Sequence, residues 1–247
     1  MAAGEQVAII GPSGAGKTTL AQVLALALKP GRGTLRLGAA DPWQLDARAL
    51  RRLRQRLFLA PQVPPLPPRQ RVVHAVLAGS LPTLGLGASL RSLIYPHDIA
   101  GARAVLEPLD LADKLFERVD RLSGGERQRV ALARASVSPA SLWLLDEPLS
   151  ALDPARAGQA LTALTGQARA RGITLVATLH QVELALAHFD RVVALQGGVV
   201  VFDAPSASVT PAQLTALYGA PLHTLADAPS PAWPATDAPA PVMMTCR

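Results

Sequence analysis

Gly11-Pro12-Ser13-Gly14-Ala15-Gly16-Lys17-Thr18 fits the pattern G-x-x-x-x-G-K-[ST] in full. Glycines let the backbone turn so that successive N–H groups point inward, where they can hold phosphate oxygens. A helix starting near Gly16 would add the positive end of its dipole at the same spot. Lys17 then suits the β- and γ-phosphates of a nucleotide as a point charge, and the Thr18 hydroxyl suits Mg²⁺. Thr19 follows in the same turn and is read with the loop as nucleotide-binding.

Leu142-Trp143-Leu144-Leu145-Asp146-Glu147 is an apolar strand ending in two adjacent acids. Charges at the C-terminal end of a buried parallel strand stand where a ligand crevice opens. Asp146 suits Mg²⁺, directly or through its water shell, and Glu147 suits a base acting on an attacking water. The plainer reading is a pair of surface acids before the turn at Pro148, and the phosphate loop upstream argues against it. His180 follows the apolar stretch Ile173 to Leu179 and so also reaches a strand end. From there it could contact the γ-phosphate and hold the water and Glu147 in line. A lone histidine after a strand is equally an ordinary loop residue.

Ser123-Gly124-Gly125-Glu126 opens an Ala- and Arg-rich stretch. Ser123 and Glu126 have the spacing of a capping box, which explains both but leaves Gly124 and Gly125 unexplained. Two glycines in a first turn expose backbone N–H groups that could receive an anion. Asp153-Pro154 reads as an N-cap and a first-turn proline.

Positioning these groups calls for an α/β fold. Val7 to Ile10 is a short, continuous apolar run, as in a strand buried on both faces. A helix is predicted over Thr18 to Leu28, stopped by Pro30 and Gly31. Thr34 to Leu37 reads as a short strand and Ala47 to Leu57 as a basic helix. Pro61, Pro64, Pro65, Pro67 and Pro68 make the stretch around Gln62 an irregular connection. Val72 to about Asp120 reads as mainly helical, with breaks near Pro82 and Pro96. A helical subdomain inserted at about 72–135 fits this pattern. A helix from Ser123, buried strands at Leu142 to Leu145 and Ile173 to Leu179, and a hairpin around Gly197-Gly198 follow. The hairpin strands are Arg191 to Leu195 and Val199 to Phe202. Residues 1–220 form one expected domain, and the Pro/Ala-rich 221–247 an expected disordered tail.

Composition sets the outer bounds. The chain has 247 residues, 49% of them hydrophobic, so a sizeable core forms and wholesale disorder is excluded. Its one cysteine, Cys246, rules out a disulfide scaffold and a multi-cysteine metal site. The net charge of +6 suits nucleic acid, anionic lipid or phosphorylated ligands and selects none of them. Arg48, Arg51, Arg52, Arg54 and Arg56 form the densest basic run, either a solvated helix face or a docking patch. No aromatic residue interleaves with them as a single-strand-binding groove would require, so nucleic acid is not expected as a partner. The N-terminus lacks a basic region and carries Glu5, unlike a secretory signal. Val72 to Leu90 is the longest stretch without a full charge, but Ser80, Pro82, Thr83 and its glycines argue for a soluble helix and loop.

Leu122-Ser123-Gly124-Gly125-Glu126-Arg127-Gln128, joined to the phosphate loop, to Leu144-Leu145-Asp146-Glu147-Pro148, to Ser150-Ala151-Leu152-Asp153 and to His180, resembles the ATP-binding subunit of an ABC transporter. The motifs stand in that family's order, and the resemblance covers roughly Gly4 to Gly219. It implies a P-loop NTPase core with a mostly parallel sheet and an inserted α-helical subdomain, binding ATP and Mg²⁺. It further implies a head-to-tail homodimer, in which Ser123, Gly124, Gly125 and Glu126 of one subunit close over ATP held by the other. Gln62 takes the place of the Q-loop glutamine, touching Mg²⁺ and relaying nucleotide state to a membrane permease. Ser150 to Asp153 forms the loop crossing the interface, Glu147 is the catalytic base and His180 the switch histidine. The implied setting is the cytoplasmic face of the inner membrane, with integral permease subunits and, indirectly, an extracytoplasmic solute-binding protein.

Val76 to Leu81, Leu90 to Leu93, Thr178 to Ala185 and Asp203 to Gly219 are similar to segments of phosphonate-import ATPases, which makes a phosphonate the expected cargo. An importer of another small solute, such as an amino acid, is an alternative within the class. A soluble ABC ATPase acting on nucleic acid or the ribosome is an alternative outside it. A single motif set without a long coiled-coil insertion disfavours the last. The chain departs from the family at its start, where antiparallel strands with an adenine-stacking aromatic are expected and look shortened. The nearest aromatic, Trp43, comes after the loop, and a misplaced start or truncation is the expected cause. Stacking is worth about 1–3 kcal/mol per base in nucleic-acid binders, so losing a comparable contact would weaken ATP binding about ten- to hundredfold.

Overall fold

The computed structural model describes residues 1–219. Six strands form one sheet in the order β2-β3-β4-β1-β5-β6. They are β1 (Gln6–Ile10), β2 (Leu57–Ala60), β3 (Leu142–Asp146), β4 (Thr174–Thr178), β5 (Arg191–Gln196) and β6 (Val199–Pro205). Every pairing is parallel except the β5–β6 hairpin, so the first five strands send their C-terminal ends to one edge. Among the described residues the α-helices are α1 (Lys17–Leu24), α2 (Ala47–Arg54), α3 (Val72–Leu77), α4 (Leu86–Ser92), α5 (Ile99–Leu106), α6 (Gly124–Ser136), α7 (Pro154–Ala170), α8 (Val182–His188) and α9 (Pro211–Tyr218).

Alternation along the strands divides the core in two. Ala8, Ile10, Trp143, Leu145, Leu175 and Ala177 belong to the larger cluster, which also takes in buried residues of α3, α5, α6, α7 and α9. Val7, Ile9, Leu144 and Val176, the alternate residues, pack with Leu24 of α1 on the other face. The expected helical insertion spans α3, α4, α5 and most of α6, between β2 and β3. Its buried residues share the larger cluster with the sheet. Gly79 permits one close approach within it: a Cβ there would lie 2.2 Å from the Arg134 carbonyl oxygen of α6. At the strands' N-terminal side, Trp143 is fully buried beneath Arg171, whose guanidinium carbon sits 5.5 Å from the ring centroid.

Three expectations need correction. The first helix ends at Leu24, not Leu28, because Leu26 turns left-handed at φ 58. Ala27 N–H then bonds the Gln22 carbonyl and Leu26 N–H that of Val23, a Schellman closure usually built on glycine. Leu26 is fully buried, and burial worth about 1.5–3 kcal/mol offsets a left-handed cost of about 1–2 kcal/mol.

Thr34 to Leu37 is not a strand. The backbone turns at Gly33 and Gly38, both at positive φ, and makes only an isolated bridge between Leu37 and Ala40. The basic helix stops at Arg54, and Leu57–Ala60 is an edge strand paired with β3 alone. Three half-buried residues and a buried Ala60 before Pro61 carry too little pattern to be told from a helix tail. No strand precedes β1 among the described residues, and the expected tail at 221–247 lies outside them.

Candidate nucleotide site

The parallel register gathers the candidate residues of β1, β2, β3 and β4 at one edge. Ile9 of β1 and Asp146 of β3 both pair with Thr178 of β4, and Ala60 of β2 pairs with Leu145. The residues just beyond these pairs are the phosphate loop, Gln62, Glu147 and His180. The loop leaves β1 and enters α1 through Gly11, Gly14 and Gly16, at φ 149, 78 and 95. Gly16 caps α1 with no side-chain acceptor, so the first-turn N–H groups remain directed at the loop's hollow. Gly11 is fixed sterically, since a Cβ there would come within 2.1 Å of the Leu195 carbonyl oxygen. Ser13, Gly14, Thr18 and Thr19 are exposed, Pro12 and Gly16 half-buried, and Ala15 buried.

Lys17 is only 4% exposed, and its Nζ donates to the Gly11 and Pro12 carbonyls at 2.8 and 3.2 Å. Burial pulls its pKa below the usual lysine range, against the attraction of Glu147 and Asp146. Asp146 is also buried. Its Oδ1 accepts from the Thr178 hydroxyl at 2.7 Å and from the Thr18 hydroxyl at 3.2 Å.

Glu147 points the other way. It adopts φ 47, and its N–H donates to the Thr178 hydroxyl at 2.8 Å. Its carboxylate is held at both ends, Oε1 by His180 Nε2 at 2.5 Å and Oε2 by the Gln62 side-chain amide at 2.7 Å. The His180 hydrogen bond is the largest influence holding the Glu147 pKa below the usual glutamate range, and it outweighs desolvation. Gln62, Glu147 and His180, drawn from three strand ends, therefore form one hydrogen-bonded group.

Ser123, Gly124, Gly125 and Glu126 are not hydrogen-bonded to this group within the chain. They form the start of α6, where the capping box is complete: Ser123 N–H donates to Glu126 Oε2 at 2.7 Å and Glu126 N–H to Ser123 Oγ at 3.2 Å. Ser123 and Gly124 are exposed. The two glycines differ in what they answer to. A Cβ on Gly125 would meet the Ala151 carbonyl oxygen at 2.8 Å, whereas one on Gly124 would find only the Ala151 Cβ, at 4.0 Å. Internal packing thus requires Gly125 and leaves Gly124 free. Asp153 caps α7 by accepting from the Arg156 N–H at 3.0 Å.

Three residues of the site escape a reading of the sequence. Thr178 joins the two acids, and its signal is a polar residue closing the apolar strand Thr174–Thr178. Gln128 donates to the Glu147 carbonyl at 3.1 Å, tying the α6 start to the acid. Tyr218, at the end of α9, accepts from Gly11 N–H at 3.1 Å, and its burial pushes the phenol up to about 12. It is one of only two tyrosines in the chain, which is a weak signal, and nothing else in the sequence links it to the loop.

The ABC transporter family matches residues 1–150. A phosphonates import ATP-binding protein (PhnC 2) of Albidiferax ferrireducens is 64% identical over 99% of this chain and 89% of that protein. Another, from a Polaromonas species, is 61% identical over 100% of this chain and 90% of its own. Among solved structures, a dimeric ATP-binding cassette in a post-hydrolysis state bound to ADP and Pi superposes with a TM-score of 0.69 at 25% identity, covering 83% of this chain and 87% of that one. A dimeric bacterial ABC transporter cassette gives a TM-score of 0.72 at 25% identity, over the same shares of the two chains. With the motifs in order and the fold in common, the chain belongs to the ABC transporter family, as one of its ATP-binding proteins.

Proposed function

We propose that the chain binds and hydrolyses ATP to energise an importer of phosphonates. The observation that carries the cargo is the identity of 64% and 61% to two phosphonates import ATP-binding proteins over nearly the whole chain. ATP lies with its phosphates in the loop Gly11 to Thr19, met by the backbone N–H groups, the α1 N-terminus and Lys17.

Mg²⁺ fits the same place. The Thr18 hydroxyl and Asp146 carboxylate are already 3.2 Å apart, the Gln62 amide offers a third oxygen, and Mg²⁺ prefers oxygen. No group of three or more His, Cys, Asp or Glu side chains that could cage a metal occurs among the described residues. A cation that shares its ligands between a carboxylate, a hydroxyl and substrate phosphates suits that inventory. When bound, Mg²⁺ neutralises charge on the β- and γ-phosphates. Glu147 orients a water for attack on the γ-phosphorus and takes its proton as the bond to the β–γ bridging oxygen breaks, leaving ADP and phosphate. His180 and Gln62 hold the carboxylate in line for that role.

Two copies work head to tail. Ser123, Gly124 and Gly125 of the partner subunit cover the γ-phosphate, with Glu126 bracing that turn, and Ser150 to Asp153 line the interface. The exposure of Gly124, and its freedom from internal packing, support a contact made outside its own chain. The domain is 1–220, with about 72–135 as the helical subdomain.

No helix among the described residues is long and apolar enough to cross a membrane; the transport path belongs to separate permease subunits, as expected of an ATP-binding subunit of this family. Leu86, Leu90, Leu93, Ile94 and Tyr95, on and just after α4, are 58% to 79% exposed and form the surface we assign to that permease. The chain then sits peripherally on the cytoplasmic face of the inner membrane, with a solute-binding protein delivering cargo on the far side.

The deciding experiment is ATPase activity with the co-expressed permease reconstituted in vesicles. Phosphonate-loaded binding protein should raise turnover and amino-acid-loaded protein should not; the reverse pattern overturns the cargo assignment. Glu147→Gln should keep ATP binding, accumulate closed dimer by size-exclusion chromatography and lose about 10²–10⁴-fold in turnover. Normal turnover in that variant removes Glu147 as the base.

The pH dependence has a definite sign. Because the folded pKa of Glu147 lies below the usual glutamate value, the carboxylate stays ionised to lower pH than an isolated one. His180→Ala removes the largest cause of that depression, so the acidic limb of its residual ATPase profile should move to higher pH. Tyr218→Phe deletes one hydrogen bond to the loop and should weaken ATP binding about two- to tenfold, read by nucleotide titration, with the fold intact.

A further inference from the structure

The charge of this chain is not spread over it. Between residues 29 and 56 stand eight basic residues and two acids, an excess equal to the chain's whole net charge of +6, so the remainder is balanced. Five of the eight are Arg48, Arg51, Arg52, Arg54 and Arg56, on or just past α2, and all eight are exposed. Among the described residues, none of the eight lies within salt-bridge distance of an acid. Asp46 is occupied as the N-cap of α2, accepting from Ala49 N–H at 2.7 Å, and Asp41 caps the turn before it.

Arg48, Arg51 and Arg52, at i, i+3 and i+4, share one helix face and repel one another. The helix dipole favours basic residues in the last turn and so accounts for Arg51, Arg52 and Arg54 but not for Arg48 in the first. Arg54 also has an internal role, donating to the Leu26 carbonyl at 2.8 Å. None of the other seven makes a side-chain hydrogen bond or an ion pair among the described residues, and Arg48 lacks even the dipole.

The partner's chemistry follows from charge and surroundings. No aromatic residue lies on α2, and Trp43, in the turn packed against it, has its indole nitrogen buried, so base stacking has no platform here. The Gln55 side chain at the end of α2 donates to the Pro82 carbonyl at 3.2 Å, tethering the basic helix to the segment that leads into exposed α4. A basic face held beside the surface that meets the permease stands toward the bilayer, where anionic headgroups supply the charge its arginines lack.

We infer that α2 and its flanking basic residues dock on anionic phospholipid headgroups, beside the permease contact. The orientation rests on α4 facing the permease, as proposed above. The lipid contact itself requires no permease. It holds the subunit at the bilayer, so that closing motions act on the permease from a fixed side.

The test is co-sedimentation of the full-length chain with vesicles lacking permease. These are made of phosphatidylcholine alone or of phosphatidylcholine with phosphatidylglycerol. Binding should occur only with the anionic lipid and weaken as salt rises. The variant R48Q/R51Q/R52Q/R56Q, which spares Arg54, should lose about 100-fold or more in partitioning and keep its ATP affinity. The matching Arg→Lys variant should retain most of the binding, because the surface is read as charge. Equal binding to neutral vesicles, undiminished binding of the Gln variant, or tighter binding to duplex DNA than to anionic vesicles at matched salt each overturns the inference. Undiminished permease co-purification of an L90S/I94S variant, with vesicle binding intact, counts against the α4 assignment alone.

Discussion

One hydroxyl keeps two neighbouring acids at separate tasks. Thr178 Oγ donates to Asp146 and accepts from the Glu147 N–H, and it can do both because β3 and β4 pair with Asp146 opposite Thr178. Asp146 stays in the strand and turns toward the phosphate loop. Glu147 leaves it at φ 47, a left-handed conformation that costs about 1–2 kcal/mol outside glycine. The hydrogen bonds to its N–H and carbonyl offset that cost.

The site is also electrostatically coherent. Lys17 is buried with Asp146, and Glu147 lies close enough to act on it, so the desolvated ammonium is not alone. In return Lys17 helps to keep Glu147 ionised. A carboxylate already charged before substrate arrives is the form a base needs, and its two hydrogen bonds fix its direction.

What the sequence discloses divides by distance along the chain. The phosphate loop, the acid pair, the capping box and the hairpin turn are local patterns, and each stands where its residues led one to look. The links that weld them together are not local: Thr178 to Asp146, Gln128 to Glu147, Tyr218 to Gly11. No period or spacing announces such contacts, since only the order of strands in the sheet creates them. Local structure failed to show itself where ordinary residues hold unusual roles. Leu26 ends a helix as glycine usually does, because burial outweighs its strain. Leu57–Ala60 is an edge strand whose half-buried residues lack a clean alternation. Thr34 to Leu37 has β-type residues and no neighbouring strand to pair with.

The brace between Tyr218 and Gly11 joins residues 207 positions apart. Synthesis runs from the N-terminus, so a ribosome that has delivered the phosphate loop has yet to deliver the side chain that steadies its first amide. Gly198, whose N–H bonds the Ala15 carbonyl, is likewise made late. The growing polypeptide therefore carries this loop without either hydrogen bond through most of translation, and gains the last of them only as its final described helix emerges.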